Sequence, residues 1–170
     1  MRLYNGKPLV NSVSGKQASM DAVFPLVRRY GGVVVALTLD EDGIPPTAEG
    51  RLAVARKIVE TAASYGIDKK DILVDVLTMA VSADPNAANV TLDALRLVRE
   101  ELGVHTVLGV SNVSFGLPRR ETVNASFYTL ALQNGLDAAI LNPCSPGMKR
   151  AYLAYRMLTG QDKQCAEYIA

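Results

Sequence analysis

The chain has no tryptophan, one histidine and two cysteines among its 170 residues. Cys144 and Cys165 are too few for a disulfide framework, and their spacing fits no zinc motif. A reducing, cytoplasmic setting is therefore the expectation. His105 stands alone, with no serine or cysteine motif to make it a catalytic base, so a surface or strand-edge role is expected of it. Neither sign of charge is in excess: 18 basic and 17 acidic residues leave a formal net charge of +1. That balance offers no electrostatic footprint for nucleic acid or an anionic membrane. No apolar run approaches the ~20 residues needed to span a bilayer, and MRLYNGKPLV lacks the apolar centre of a signal peptide. A glycine-rich phosphate loop is also missing.

What is present is alternation. PLVNSVSG (8–15) reads as a short strand that breaks at Asn11 and Ser12, followed by a helix in which Ala22, Val23, Leu26 and Val27 recur at helical spacing. Pro25 is expected near that helix's first turn, where proline is best tolerated. VVVALTLD (33–40) is the next strand. A helix over about 47–65 carries Leu52, Ala55, Ile58, Val59 and Ala62 on one face. DILVDVL (71–77) is strand again, interrupted by Asp75, and a helix with Leu92, Leu95 and Val98 closes at Gly103. The run from Thr106 to Gly109 is continuously apolar or β-branched up to its glycine, as in a strand covered on both faces. A helix with Phe127, Leu130 and Ala131, a strand ending at Asn142 and a last helix complete the chain.

Strand then helix, repeated about five times, predicts an α/β fold with parallel strands over a single unit, residues 1–170. A doubly wound sheet and a (β/α)8 barrel both fit this pattern. A barrel normally takes roughly 250 residues, so five units make an incomplete one.

The ends of the strands are polar: Asn11 and Ser12, Thr38 and Asp40, Asp75, Ser111 and Asn112, and Asn142. In parallel α/β folds the C-terminal ends of strands are where ligands bind. Each residue alone has a commoner job as the cap of the following helix. Asp75 is the exception, because apolar chain follows it and no helix starts there. Several amides with one carboxylate suit a neutral, flat heterocycle with donor and acceptor edges better than a phosphate. Cys144, Lys149 and Arg150 are not read as site residues: the first is taken as a buried or incidental thiol and the others as a solvated face.

VNSVSG, LTLDEDGIP, DILVDVL, LGVSNVSFG and NASFYTLALQNGLDAAILNP together resemble the methyltetrahydrofolate-binding domain of cobalamin-dependent methionine synthases and the related methyltetrahydrofolate:corrinoid protein methyltransferases. The similarity runs through essentially the whole chain, and GVSNVS with downstream Arg120 and Asn124 is its most specific part. The resemblance implies a (β/α)8 barrel of the dihydropteroate synthase-like superfamily, of which this chain supplies the fourth to eighth units. It implies that Asn11, Asp75, Asn112, Ser111 and Arg120 hold the pterin, with Asn112 as the catalytic residue at N5. A carboxamide suits that position because it bonds N5 in either protonation state by flipping. The implied methyl donor is methyltetrahydrofolate, the acceptor is cobalamin carried by a partner protein or domain, and no metal is bound by the chain itself.

The sequence departs from that pattern in two ways. The third-strand aspartate that also holds the pterin has no counterpart, and Phe115 stands where some relatives have glutamine. An N-terminal complementing segment or self-association through unpaired edges at the Leu9 and Ile140 strands is therefore expected. Two alternatives are a dihydropteroate synthase-like enzyme and a non-catalytic pterin-binding fragment. The first is disfavoured because Ser111-Asn112 stands where that enzyme family carries a basic motif, and because its eighth-strand histidine is missing.

Overall fold

Five strands and six helices alternate through residues 3–170, which are the residues described by the computed structural model. The order is β1 (Leu9–Ser14), α1 (Gln17–Tyr30), β2 (Val33–Leu37), α2 (Ala48–Ser64), β3 (Ile72–Asp75) and α3 (Ala87–Leu102). It continues with β4 (His105–Gly109), α4 (Arg120–Gln133), β5 (Ala138–Ile140), α5 (Pro146–Leu158) and a short α6 (Ala166–Ile169). All four strand pairs are parallel and the sheet order is β1-β2-β3-β4-β5. Parallel neighbours need long crossovers, and each crossover here carries a helix. A sheet whose spatial order equals its chain order adds every unit on the same side, as a barrel does. A doubly wound sheet reverses at a switch point instead. The five units form an arc of a barrel, with β1 and β5 as its outer strands.

Alternation along each strand divides the sheet into two faces. Val34, Ala36, Ile72, Val74 and Leu108 are fully buried on the outer face, within the helix-covered core. The alternate residues Val33, Val35, Leu37, Leu73, Asp75, Val107 and Gly109 line the inner face. At the two ends of the arc, Leu9 and Ile140 continue that face and are 57% and 53% exposed.

β1 does not break at Asn11 and Ser12. It continues to Ser14 through an irregularity in register: Asn11 pairs with Val35 and Val13 with the next residue, Ala36. Ser12 is the extra residue, and the Asn11–Ser12 peptide is cis. This bulge lets Val10 and Val13, three apart, both join the outer core while Asn11 stays inside.

α1 also differs from expectation. It starts at Gln17, so Pro25 lies in its interior. Pro25 is exposed, so the Asp21 carbonyl that loses its helical partner is left on the water side, where solvent can satisfy it. The core face is Met20, Phe24 and Val27, whereas Leu26 is 50% exposed. Gly31 ends α1 at φ 69°, a left-handed cap that glycine adopts without strain.

In α4 the buried residues are Phe127 and Ala131, and Leu130 is 52% exposed. β5 is shorter than its apolar run and stops at Ile140, before Asn142. No helix among the described residues is long and apolar enough to cross a membrane.

Candidate functional site

Asp75 is the last residue of β3, on the inner face and 8% exposed. Its register neighbours are Leu37 on β2 and Val107 on β4, so apolar strand flanks it on both sides. Burial pushes its carboxyl up to about 6; a hydrogen bond from Leu77 N–H at 2.8 Å and the positive charge of Arg51 pull the other way. A carboxylate offers about four lone-pair sites, so that single bond leaves acceptor capacity for a ligand.

The chain turns sharply beyond Asp75. Leu77 sits at φ 66°, a left-handed conformation that costs a residue with a side chain roughly 1–2 kcal/mol. The turn aims Leu77 N–H back at the Asp75 carboxylate and presents two consecutive carbonyls to Arg51. Arg51 Nη1 donates to Val76 O at 2.9 Å, Leu77 O at 2.7 Å and Thr91 Oγ1 at 3.3 Å. Its Nε donates to Pro45 O at 3.1 Å. The sequence reading missed Arg51, since a lone arginine on a helix gives no local sign of being buried.

After Gly109 the chain forms a tight 3-10 turn, Val110–Ser114, which carries Ser111 and Asn112. Arg120, at the start of α4, fastens this turn. It donates from Nε to Ser114 Oγ at 2.9 Å and from Nη2 to Ser111 O at 2.8 Å, and its guanidinium lies 4.6 Å from the Phe115 ring centroid. Arg120 thus holds this loop through Nε and Nη2. The Asn112 carboxamide folds back over the strand end: a Cβ added at Gly109 would lie 3.1 Å from Asn112 Nδ2. Gly109 belongs to the inner face, so its missing side chain is what leaves room there for Asn112. The loops after β3 and β4 are tied together by Val81 N–H to Val113 O at 3.0 Å and Ser82 Oγ to Phe115 O at 2.6 Å.

Asn11 is exposed and lies level with Val35 and Leu73, one inward-facing position below Asp75. The inner face therefore carries Asn11, Asp75 and Asn112. Ser111 and Arg120 instead line a neighbouring cleft of about 490 Å³ with Glu121, Asn124, Asn142 and Cys144. Asn142 Oδ1 accepts a bond from Cys144 N–H at 3.0 Å, the turn-forming role common for asparagine. Cys144 is exposed, not buried. Asp40 likewise accepts Asp42 N–H at 3.1 Å within its own turn. His105 is exposed at the opposite end of β4 and lies 3.5 Å from Asp137. Among the described residues no group of three or more histidine, cysteine, aspartate or glutamate side chains is placed to hold a metal ion.

A family profile described as pterin-binding enzyme matches residues 2–142. A methylcorrinoid:tetrahydrofolate methyltransferase of Eubacterium limosum is 34% identical over 165 residues, covering 94% of this chain and 60% of that protein. A methionine synthase of Mycobacterium leprae is 34% identical over 150 residues, covering 81% of this chain and 12% of that protein. The chain thus spans less than two thirds of the length of these relatives. A solved dihydropteroate synthase from Xanthomonas albilineans in complex with 7,8-dihydropteroate superposes with a TM-score of 0.61 at 17% identity, over 89% of this chain and 60% of that one. That likeness carries the fold, an arc of a dihydropteroate synthase-like barrel. With the profile spanning residues 2–142, the chain belongs to the pterin-binding enzyme family.

Proposed function

We propose that this chain binds the pterin of tetrahydrofolate on the inner face of its arc and takes part in methyl transfer between folate N5 and a corrinoid. The observation that carries this reading is Asp75: a buried, partly unsatisfied carboxylate at the mouth of a parallel arc, with the amide of Asn11 on β1 and that of Asn112 in the turn after β4 on the same face. A pterin's amino-pyrimidine edge presents adjacent N–H donors, which two carboxylate oxygens match. Asn11 bonds the ring from β1, and Asn112 reaches the N5 side from the turn after β4. Ser111 and Arg120 support the site by holding that turn.

The relatives' names favour methyl transfer over dihydropteroate synthesis. The corrinoid, carried by a partner protein or domain, would supply the cobalt that gains or gives up the methyl group. In the demethylating direction the N5–methyl bond breaks and its electron pair stays on nitrogen, so N5 must take up a proton from solvent. Asn112 accepts a bond from N5–H or donates one to the bare nitrogen, stabilising the charge that changes there. Both directions pass through one transition state. The same contacts therefore serve flow from a methylcorrinoid to tetrahydrofolate, which the name of the Eubacterium limosum relative states. We further propose that the activity of the whole protein needs the remaining barrel units, supplied by a complementing N-terminal segment.

The test is calorimetric titration with methyltetrahydrofolate, alone and with the N-terminal barrel segment of the Eubacterium limosum relative, followed by demethylation in the presence of cob(I)alamin. Binding that disappears in Asp75→Ala, with transfer roughly 100-fold slower in Asn112→Ala, is the expected result. Unaltered binding by Asp75→Ala, no binding under either condition, or synthesis of dihydropteroate from pterin pyrophosphate and p-aminobenzoate overturns the reading.

A further inference from the structure

Arg51 is 3% exposed, and the proposed chemistry leaves it without a task. A buried guanidinium is costly unless its donors are used and its charge is balanced. The hydrogen bonds of its Nε and Nη1 go to one region: the carbonyls of Pro45, Val76 and Leu77 and the hydroxyl of Thr91. It makes no direct ion pair among the described residues. Its charge acts instead on Asp75, through space.

Val76 O and Leu77 O both accept from Arg51 Nη1, and Leu77 between them takes the left-handed conformation at φ 66°. In this turn Val76 O and Leu77 N–H belong to one planar peptide, so the carbonyl that Arg51 holds and the amide that donates to Asp75 Oδ1 at 2.8 Å are oriented together. Thr91 of α3 supports it, donating its hydroxyl to Ala87 O at 2.9 Å and lying 3.3 Å from Leu77 O. We propose that Arg51 is the positioning residue of the inner-face site, holding residues 75–77 so that Asp75 presents an ionised carboxylate to the ligand. This rests on the pterin reading for the identity of the ligand only.

The groups that face Asp75 are few. β2 presents Leu37 and donates Thr38 N–H to the Asp75 carbonyl at 3.0 Å, and β4 presents Val107. α2 contributes Arg51 and α3 contributes Thr91. Arg51 is the one charged side chain in that set. Lysine in its place keeps the charge but loses the planar fork, whereas methionine keeps the stem and loses both.

Carboxyl-detected NMR of Asp75 against pH, with hydrogen exchange of the Leu77 amide, tests the proposal without any ligand. In the wild type the Asp75 midpoint is expected near 6. Arg51→Met should move that midpoint upward by roughly half a pH unit or more and speed Leu77 exchange roughly tenfold or more. Arg51→Lys should keep the midpoint close to wild type yet still speed Leu77 exchange. Arg51→Met should also weaken methyltetrahydrofolate binding at neutral pH by roughly tenfold, with Arg51→Lys intermediate. An unchanged midpoint and unchanged exchange in Arg51→Met overturn the proposal. Should Arg51→Met fail to fold, unchanged Leu77 exchange in Arg51→Lys does the same. Ligand binding that survives Asp75→Asn sinks the pterin reading instead and leaves the NMR result on Arg51 standing.

Discussion

Replacing Asp75 with asparagine separates what the carboxylate costs the fold from what it does for a ligand. Asp75 is 8% exposed and its carboxyl is raised from the usual 3.8 to about 6, with burial as the largest cause. Each tenfold change in proton affinity is worth about 1.4 kcal/mol, so holding this residue ionised costs the folded state about 3 kcal/mol. The sign follows from where the proton sits. Above about pH 6 both folded and unfolded chains carry the charge, and the penalty is fully present. As the pH falls through 6 the folded chain takes up the proton first, so this group favours folding more on acidification; below 3.8 both forms are protonated and the penalty is gone. Glu121 runs the other way: hydrogen bonds from Ser145 and Gly147 lower its carboxyl.

Asparagine keeps the oxygen that accepts Leu77 N–H and removes the charge. Urea denaturation of Asp75→Asn should therefore show a gain of about 2–3 kcal/mol over wild type at pH 8, shrinking by about 1.4 kcal/mol at pH 5. Calorimetry on the same variant should show methyltetrahydrofolate binding lost. Greater stability with lost binding is the mark of a carboxylate kept for function. A variant no more stable than wild type at pH 8, or a difference that is the same at both pH values, refutes the argument from burial.

Gly109→Ala places a Cβ 3.1 Å from Asn112 Nδ2, tight enough to displace that carboxamide. Methyl transfer should fall at least roughly tenfold while the urea midpoint barely moves; transfer at the wild-type rate would show that Asn112 has no fixed position to lose. Arg120→Ala releases Ser111 O and Ser114 Oγ. It should cost about 1–2 kcal/mol in urea denaturation and reduce the transfer rate more than folate affinity, as steady-state kinetics would reveal.

Much of the architecture is legible in the chain itself because secondary-structure patterning is local. Apolar runs of strand length, helical spacing of residues such as Leu95 and Val98, and glycine stops such as Gly31 place five strands and the helices between them. Asp75 stands out for the same reason: a carboxylate inside an apolar run is a local anomaly that only a functional or buried partner explains. Where the chain spends its hydrogen bonds is not a local matter. Arg120 reads as a ligand contact in the sequence, and only the structure shows that its guanidinium holds the 111–114 turn.

Arg51 looks like any helix arginine until α2 packs over the end of β3 and its donors find the carbonyls of Val76 and Leu77. The bulge at Ser12 had to be set by pairing with β2, because alternation alone cannot keep Val10 and Val13 on one face. Leu26 and Leu130 fit helical spacing yet face solvent, since a helix buries only the stripe its neighbours cover. The residue types and their order determined the strands, the helices and the carboxylate worth asking about. Tertiary packing alone decided which face each polar end meets and which charge holds that carboxylate in place, because those partners lie on different elements far apart in the chain.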